Sequence, residues 1–363
     1  MNEPLDVRGI AHQFQFRGEV SATAPHGNGH INDTFLITCR NNGATTRYIL
    51  QHINRHVFRK PSAVMENIER VTAYLATQSD GRFDDARHAL RLIPARDGRN
   101  WHIDPTGETW RAYRFIENAR TYETATSADQ AFQAARAFGR FQQQLAGLPP
   151  PRLHDTIPDF HHTPKRFAAL EGAIAADIAN RAALARPEIE FALAHKSITS
   201  VLLDANLPER ITHNDTKFNN VLLDDVTGEA ICVIDLDTVM PGLALYDFGD
   251  MVRTTTSPAD EDERDLSRVS MQFPLFEALV RGYLETAGEF LTPAERRFIA
   301  FSGKLITFET GIRFLADFLN GDTYFKVHRD GHNLDRCRTQ FKLVESIEQQ
   351  EDEMNRLVAS LAG

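Results

Sequence analysis

The stretch that decides the fold is residues 213–220, which read His-Asn-Asp-Thr-Lys-Phe-Asn-Asn. Four residues lie between Asp215 and Asn220, a spacing that lets a tight loop turn the amide back toward the carboxylate. An aspartate in this position can orient or deprotonate a hydroxyl group, and an amide oxygen can bind Mg²⁺. Lys217 could neutralise negative charge on a transferred group. We therefore predict that this loop catalyses transfer to a hydroxyl group.

A second acidic motif follows, Val-Ile-Asp-Leu-Asp at residues 233–237. The sequence between the two motifs predicts a hairpin, with strands at 219–223 and 231–236. Asp235 would then lie at the end of an apolar strand, where a second Mg²⁺ ligand is expected. Asp237 could be another metal contact or a polar anchor of the hairpin. Each motif alone is common in surface turns, but their order, with a hairpin between them, is the pattern of ATP-dependent kinases.

The rest of the chain divides into a β-rich first third and a helical remainder. Turn-bounded apolar runs predict strands, and apolar residues at every third or fourth position predict helices. Strands are predicted at residues 19–24, 34–39, 47–53 and 110–116, a hairpin at 90–94 and 100–103, and helices at 62–78, 131–145, 164–183, 187–203 and from Thr292 through Leu315. The elements predict a bilobal, protein-kinase-like α+β fold. Its parts would be a nucleotide-binding lobe at 1–117, a hinge near 114–118, and a helical lobe at 118–363 with the catalytic loop and acceptor site.

These motifs, with Tyr-Asp-Phe-Gly-Asp at residues 246–250, resemble those of the aminoglycoside phosphotransferase-like kinases, which include choline and homoserine kinases. Nearly the whole chain is similar, more narrowly, to bacterial N-acetylhexosamine 1-kinases, through residues 27–32, 48–51, 212–217, 234–242 and 313–317. The resemblance implies that ATP and Mg²⁺ are used and that the acceptor is the anomeric 1-hydroxyl of an N-acetylhexosamine. It implies that Asp215 is the general base or orients the acceptor. It also implies that Asn220 and Asp235 bind Mg²⁺ and that Asp247 braces the loop.

Nucleotide contacts are expected from three places in the N-terminal lobe. Gly27 and Gly29 lie in the turn of the first predicted hairpin, where backbone amides could approach phosphate. The backbone of Phe115 and Ile116, at the hinge, is expected to pair with the adenine edge. The third strand carries Gln51 where protein kinases carry a lysine that pairs with the phosphates. Gln51 could be a neutral phosphate donor, with Mg²⁺ and the loop lysine supplying the charge, or it could simply face solvent.

Acceptor contacts are implied by the resemblance in both lobes. His30 would close the site from the N-terminal lobe, and Arg313 and Tyr324 would contact the sugar beside Asp215. Arg313 also lies four residues before Asp317 on a predicted helix, so an internal ion pair is the alternative. The paired histidines at 161–162 lack a third metal ligand at a plausible spacing, so we expect ordinary loop histidines there.

Composition narrows the range of partners. The chain has 363 residues with 50 acidic and 40 basic side chains, a formal net charge of -10. That charge argues against nucleic acid or an anionic membrane as the main partner. Three cysteines far apart in sequence favour a reducing compartment, and neither a secretory signal nor an apolar run of bilayer length is visible. We expect a cytoplasmic monomer or homodimer whose partners are ATP and a small-molecule sugar.

Three alternatives remain open at the level of sequence. A kinase for choline, homoserine or an aminoglycoside would need an acidic or aromatic pocket, which the acidic run at 260–265 leaves possible. A catalytically silent nucleotide-binding protein is suggested by Gln51, although Asp215, Asn220 and Asp235 are all present. A nucleotide-sugar glycosyltransferase would use the Asp-x-Asp motif for metal, but the catalytic-loop pattern and the β-then-helix order oppose it.

Overall fold

The computed structural model describes residues 5–27, 31–78 and 85–361. The strands in those residues are β1 (Glu19–Pro25), β2 (Asp33–Asn41), β3 (Ala44–Ile53), β4 (His102–Ile103), β5 (Thr109–Arg114), β6 (Ala119–Arg120), β7 (Arg210–Thr212), β8 (Val221–Asp224), β9 (Ala230–Val233) and β10 (Met240–Gly242). The helices are α1 (Val7–Ala11), α2 (Pro61–Thr77), α3 (Asp85–His88), α4 (Ala128–Leu145), α5 (Thr163–Ala176), α6 (Arg186–Ala194), α7 (Val201–Asp204), α8 (Ala244–Thr255), α9 (Phe273–Ala287), α10 (Pro293–Arg297), α11 (Ile299–Leu319) and α12 (His332–Leu361).

The N-terminal region is an antiparallel sheet in the order β1-β2-β3-β5-β4. Its register sets Gln51 of β3 between Thr34 of β2 and Arg111 of β5. Helix α2 has proline in its first turn and buries an apolar stripe that includes Met65 and Ile68. That stripe packs against the sheet and against the segment after β9, so α2 lies between the sheet and the second acidic motif.

The C-terminal region is built on helices α4, α8, α9 and α11, whose side chains share one core. Helices α8 and α11 approach closely at Gly249, where a Cβ atom would lie 2.4 Å from the carbonyl oxygen of Ser302. A larger residue at this position would push the two helices apart. The close approach matters because both helices brace the catalytic loop.

Two short ladders bring the sequence motifs side by side. Strand β7 pairs with β10, and β8 pairs with β9 and β6. The loop 213–220 joins β7 to β8, and the segment that holds Asp235 and Asp237 joins β9 to β10. Both motifs therefore connect the same two ladders, β7–β10 and β8–β9.

The α+β fold class predicted from the sequence is confirmed, with an antiparallel sheet in the N-terminal region and many helices in the C-terminal region. Strand β6 pairs with β8 and not with the N-terminal sheet. The division into lobes at 114–118 stays a prediction. No helix in the described part of the chain is long and apolar enough to cross a membrane.

The elements predicted from the sequence were wrong in four details. The segments 90–94 and 100–103 do not form a hairpin with each other, because β4 pairs with β5 and Leu92 forms an isolated bridge to Tyr113. Helix α5 ends early because Asp177 adopts a left-handed conformation with φ 37°. The helix predicted at 187–203 is divided into α6, a 3-10 turn and α7, and the helix predicted after Thr292 is interrupted between α10 and α11.

Candidate active site

The catalytic loop is held by Asp247 of α8. The Asp247 carboxylate accepts hydrogen bonds from the backbone N–H groups of His213 (2.9 Å) and Asn214 (2.7 Å) and from the side-chain amide of Gln142 (2.6 Å). Asn214 has φ 64°, a left-handed conformation that asparagine tolerates better than most residues. Burial raises the pKa of Asp247 in spite of these hydrogen bonds. Asp247 thus makes the bracing contacts that the sequence suggested.

Three of the predicted site residues lie together in this loop. Lys217 Nζ is 3.0 Å from Asp215 Oδ1, and Asn220 Nδ2 donates to the Asp215 carbonyl oxygen at 2.8 Å. Burial alone would raise the pKa of Asp215, but the charge and hydrogen bond of Lys217 outweigh it and hold that pKa below its ordinary value. The Asp215 carboxylate is therefore ionised at neutral pH and can accept a proton.

The segment around Asp235 is tied directly to the catalytic loop. His213 Nε2 donates to the Ile234 carbonyl oxygen at 2.8 Å, and the Ile234 N–H donates to the Asn220 carbonyl oxygen at 2.9 Å. Asp235 has φ 60°, and its side chain is exposed. These two backbone anchors set Asp235 next to the catalytic loop.

The groups at this point fit a hard divalent cation. Nδ2 of Asn220 is engaged with Asp215, so its amide oxygen is the atom left for a metal. Desolvation by the surrounding protein, together with the charges of Asp237 and Asp215, raises the pKa of the Asp235 carboxylate to about 6. No group of three or more His, Cys, Asp or Glu side chains converges as a metal site within residues 5–27, 31–78 and 85–361. Mg²⁺ would accordingly be held by one carboxylate, one amide and the phosphates of a nucleotide, an arrangement usual for this ion.

Asp237 is anchored by the N-terminal sheet. Its buried carboxylate pairs with the guanidinium of Arg111, which is itself fully buried, and accepts a hydrogen bond from Asn32 Nδ2. Gln51 Oε1 accepts from Arg111 Nε at 2.9 Å, and Gln51 Nε2 donates to Thr34 Oγ1 at 3.1 Å. Asp237 was expected to be either a metal contact or a polar anchor of the hairpin, and these contacts favour the polar anchor. Asp237 ties the second acidic motif to the N-terminal sheet, however, and not to the hairpin.

Arg111 is a buried charged residue beside the candidate site that the sequence analysis missed. It lies opposite Gln51 on the adjacent strand, so a permanent positive charge stands one strand away from the place of the kinase lysine. The signal was present in the sequence, because an arginine in the middle of a predicted apolar strand needs a buried partner.

The two acidic residues of helix α2 have partners other than Arg111. Glu66 contacts His154 at 2.7 Å, and Glu69 accepts a hydrogen bond from Asn100 at 2.8 Å.

The predicted nucleotide contacts are only partly within the described residues. Gly27 has φ 72°, which favours glycine, and open space where a side chain would project. Gly29 and His30 lie outside the described residues. The ring of Phe115 lies 5.8 Å from that of His26 and 4.1 Å from the Arg47 guanidinium carbon, and Ile116 is buried. The start of the glycine turn and the predicted hinge therefore lie together.

Arg313 and Tyr324 lie on one side of the catalytic loop. The Arg313 guanidinium carbon is 5.1 Å from the ring centroid of Phe160 and 5.7 Å from that of Phe325. Phe325 in turn lies 4.8 Å from the ring of Tyr324, whose side chain is 59% exposed. Phe160 precedes His161, which contacts the Asn214 carbonyl oxygen at 3.0 Å. This chain of contacts connects Arg313 to the residue before the predicted catalytic aspartate.

The alternative ion pair between Arg313 and Asp317 does not form. The Asp317 carboxylate instead accepts hydrogen bonds from the backbone N–H groups of Thr323, Tyr324 and Phe325, at 2.8–2.9 Å, and from Asn333 Nδ2. Asp317 thereby shapes the turn that presents Tyr324. Arg313 makes no side-chain hydrogen bond or ion pair with any residue that the structure describes.

Three of the five acidic residues in the run at 260–265 form ion pairs, mainly with arginines. Its carboxylates form the ion pairs Glu261–Arg253, Glu261–Arg336, Asp262–Arg329, Asp262–His332 and Glu263–Arg268. These side chains therefore offer little free negative charge for a cationic acceptor. His161 lies in a turn, as expected for a loop histidine, but its side chain is buried against Glu309.

A comparison with known protein families supports the same interpretation of the loop. The profile of the phosphotransferase enzyme family matches residues 23–297, a range that includes the sheet, the catalytic loop and the second acidic motif. The chain belongs to this family. The resemblance to the aminoglycoside phosphotransferase-like kinases that the motifs suggested is confirmed. The activity class, phosphotransferase, is confirmed as well.

Solved structures of other kinases share the fold of this phosphotransferase. An aminoglycoside phosphotransferase from Alicyclobacillus acidocaldarius superimposes with a TM-score of 0.63 at 12% identity, covering 99% of this chain and 98% of that one. A microcompartment-associated aminopropanol kinase gives 0.58 at 17% identity, with 96% and 97% covered. A choline kinase from Cryptosporidium parvum gives 0.54 at 15% identity, with 93% and 92% covered. At such low identities the likeness establishes the fold alone.

Proposed function

We propose that this phosphotransferase transfers the γ-phosphate of ATP to a hydroxyl group of a neutral sugar, with the anomeric 1-hydroxyl of an N-acetylhexosamine as acceptor. The observation that carries the proposal is the positive charge beside the catalytic loop: Arg313 makes no hydrogen bond or ion pair with a described residue, and Glu309, the carboxylate on which its charge acts, is already paired with His161. Burial and the charge of Arg313 lower the pKa of Arg166, whose guanidinium donates to the Phe160 carbonyl oxygen. Two neighbouring guanidiniums suit an acceptor rich in oxygen atoms.

The same charge disfavours the acceptors of the structurally similar kinases. Choline, aminopropanol and aminoglycosides carry ammonium groups, which need carboxylates or a free aromatic cage. Here the aromatic rings of Phe160 and Phe325 already face Arg313, and Glu261, Asp262 and Glu263 of the acidic run form ion pairs. A neutral sugar avoids the repulsion and can accept hydrogen bonds from the arginine.

The reaction would proceed as a direct transfer. The acceptor hydroxyl oxygen forms the new bond to the γ-phosphorus, the bond to the bridging oxygen of ADP breaks, and the hydroxyl proton moves to Asp215. Lys217, beside Asp215, would offset charge on the phosphoryl oxygens. Mg²⁺, held by Asn220 and Asp235, would supply further charge neutralisation at the phosphates. A silent nucleotide-binding role is opposed by the contacts that bring Asp215, Lys217 and Asn220 together.

A screen of acceptors tests the proposal. ADP release would be measured with Mg²⁺-ATP and N-acetylhexosamines, plain hexoses, choline, aminopropanol, homoserine or an aminoglycoside, with Asp215→Asn as the control for contaminating activity. We expect release with an N-acetylhexosamine and loss of its reducing end, since a 1-phosphate blocks that carbon. A chelator should abolish the release and added Mg²⁺ should restore it. Release with an ammonium-bearing acceptor alone would contradict the proposal.

A further inference from the structure

A buried histidine joins the catalytic loop to helix α11. His161 Nδ1 is 2.8 Å from Glu309 Oε1, and His161 Nε2 is 3.0 Å from the carbonyl oxygen of Asn214. The other Glu309 oxygen accepts from Thr163 Oγ1 at 2.6 Å. His161 and Glu309 are both buried, and neither takes part in the reaction steps above.

The partners of the ring decide its protonation state. A backbone carbonyl oxygen only accepts hydrogen bonds, and so does an ionised carboxylate. Both ring nitrogens of His161 therefore carry hydrogen, and the ring is an imidazolium paired with Glu309. Burial on its own lowers the pKa of His161, but the charge and hydrogen bond of Glu309 outweigh it, so that the pKa is raised. Burial would raise the pKa of Glu309, yet His161 holds it below its ordinary value.

The contact at Asn214 is placed where it bears on catalysis. The carbonyl group of Asn214 belongs to the peptide unit that carries the N–H of Asp215. Asp247 fixes the preceding N–H groups of the loop, and His161 fixes this carbonyl from the opposite side. The left-handed conformation of Asn214 is thus held at both ends, and with it the direction in which the chain enters Asp215.

We propose that His161, as an imidazolium paired with Glu309, is a positioning residue that fixes the peptide bond before Asp215 and so directs the Asp215 carboxylate toward the acceptor. The inference rests on the catalytic role proposed for Asp215 and not on the identity of the sugar. A displacement of about 1 Å in a reacting group can cost about 10²-fold in rate, so a clamp at this peptide has a measurable effect.

Other charged and titratable groups face the pair from the neighbouring helices. They are Arg313 on α11, Asp250 and Tyr246 on α8, and Arg166 on α5. Because the pKa of His161 is raised, the doubly protonated ring is present below that pKa and is lost as pH rises through it. The hydrogen bond that holds the Asn214 carbonyl group, and the stability that the His161–Glu309 pair contributes, are therefore both lost as pH rises.

The substitution Glu309→Gln keeps the shape of the side chain nearly unchanged. It should reverse the direction in which the contact between His161 and Asn214 depends on pH. The amide that replaces the carboxylate could donate its hydrogen to Nδ1 of a neutral ring while Nε2–H still donates to Asn214. Without the carboxylate, burial favours the neutral ring, which is lost when pH falls. The ratio of kcat in Glu309→Gln to kcat in the wild type should therefore rise with pH. A ratio that does not change between pH 6 and pH 9 would overturn the proposal.

The double variant His161→Leu, Glu309→Gln removes the clamp without leaving a buried unpaired charge. We expect kcat to fall by about 10- to 10²-fold while KM for ATP stays within about twofold. His162→Asn, in the same loop, keeps a helix-capping side chain and should behave as the wild type. A folded double variant with wild-type kcat would reduce His161 to a structural brace and refute the positioning role.

A spectroscopic measurement needs no acceptor and so separates this inference from the proposed function. ¹⁵N NMR of the full chain with labelled histidine reports whether each ring nitrogen carries hydrogen, and the signals of His161 are assigned by their absence from the double variant. At pH 6.5 we expect both His161 nitrogens to be protonated in the wild type and only one in Glu309→Gln. A neutral ring in the wild type would overturn the assignment even if the sugar screen succeeds. If the screen instead identifies another acceptor, the kcat ratios are measured with that one.

Discussion

Two buried ion pairs contact the candidate active site, one from the N-terminal sheet and one from helix α11, and they differ in whether their charge can be lost. Arg111–Asp237 joins the N-terminal sheet to the second acidic motif, and His161–Glu309 joins α11 to the catalytic loop. A guanidinium stays charged at any physiological pH, whereas an imidazolium does not. The pair at the N-terminal sheet thus stays charged, while in our proposal the pair at α11 depends on pH.

The largest effect is expected from replacing Asp215 in the catalytic loop. Asp215→Asn should lower kcat by about 10²- to 10⁴-fold, the usual contribution of a positioned proton acceptor. ATP affinity should change little, because Asp215 faces the acceptor. Steady-state ADP release and nucleotide binding by calorimetry measure the two quantities. Near-normal turnover would remove Asp215 from the mechanism and with it the reason for supporting this loop.

Breaking the permanent pair should affect stability most. Arg111→Met leaves the Asp237 carboxylate buried without its cation, which costs about 3–5 kcal/mol in comparable cases. Urea unfolding followed by tryptophan fluorescence reports on this region, since the two tryptophans, Trp101 and Trp110, both lie in the N-terminal part. The double variant Arg111→Met, Asp237→Leu should recover part of the loss. If the single variant is as stable as the wild type, the pair is not a structural link between sheet and motif.

A smaller effect is expected on the acceptor side. Arg313→Lys keeps the charge but loses the planar fork of donors, so kcat/KM for the sugar should fall by about 10-fold or more. ATP binding without sugar should be unaffected. Arg186→Lys, an exposed residue paired with Glu190 on α6, is the matched control. Loss of folding or of ATP binding with sugar specificity intact would make Arg313 a structural residue.

The smallest effect is expected at Gln51. The lost bond to Arg111 is worth about 1 kcal/mol, so Gln51→Ala should raise the apparent constant for ATP a few-fold and leave that for the sugar unchanged. The reason differs from the one the sequence suggested, because Gln51 would act through Arg111 and not on phosphate directly. An unchanged ATP constant would mean that Gln51 only occupies its strand.

The sequence predicted most where function depends on neighbours along the chain. Asp215, Lys217 and Asn220 are in one loop, so their spacing alone was enough to bring them together. Asp247 could be anticipated only through resemblance, since it lies 34 positions after His213, whose backbone N–H it accepts from.

The sequence could signal that Arg111 needs a partner, but it could not identify the partners in either ion pair, for the same physical reason. Arg111 and Asp237 are 126 residues apart, and His161 and Glu309 are 148 apart. Such pairs form only after the sheet and helices have packed, and no local spacing announces them. Local breaks were also missed, as at Asp177, where one left-handed residue ends a helix whose apolar pattern continues.

The turn shaped by Asp317 has a consequence for the evolution of acceptor choice. Its carboxylate holds residues 323–325 through their backbone N–H groups, which every amino acid except proline provides. The side chains on that turn are therefore free to vary while its shape persists. A library of substitutions at Tyr324, with Asp317 retained, would explore new acceptors without rebuilding the loop. If Tyr324 contacts the acceptor as we propose, shape and chemical selectivity are encoded by different residues of this turn, and each can change without the other.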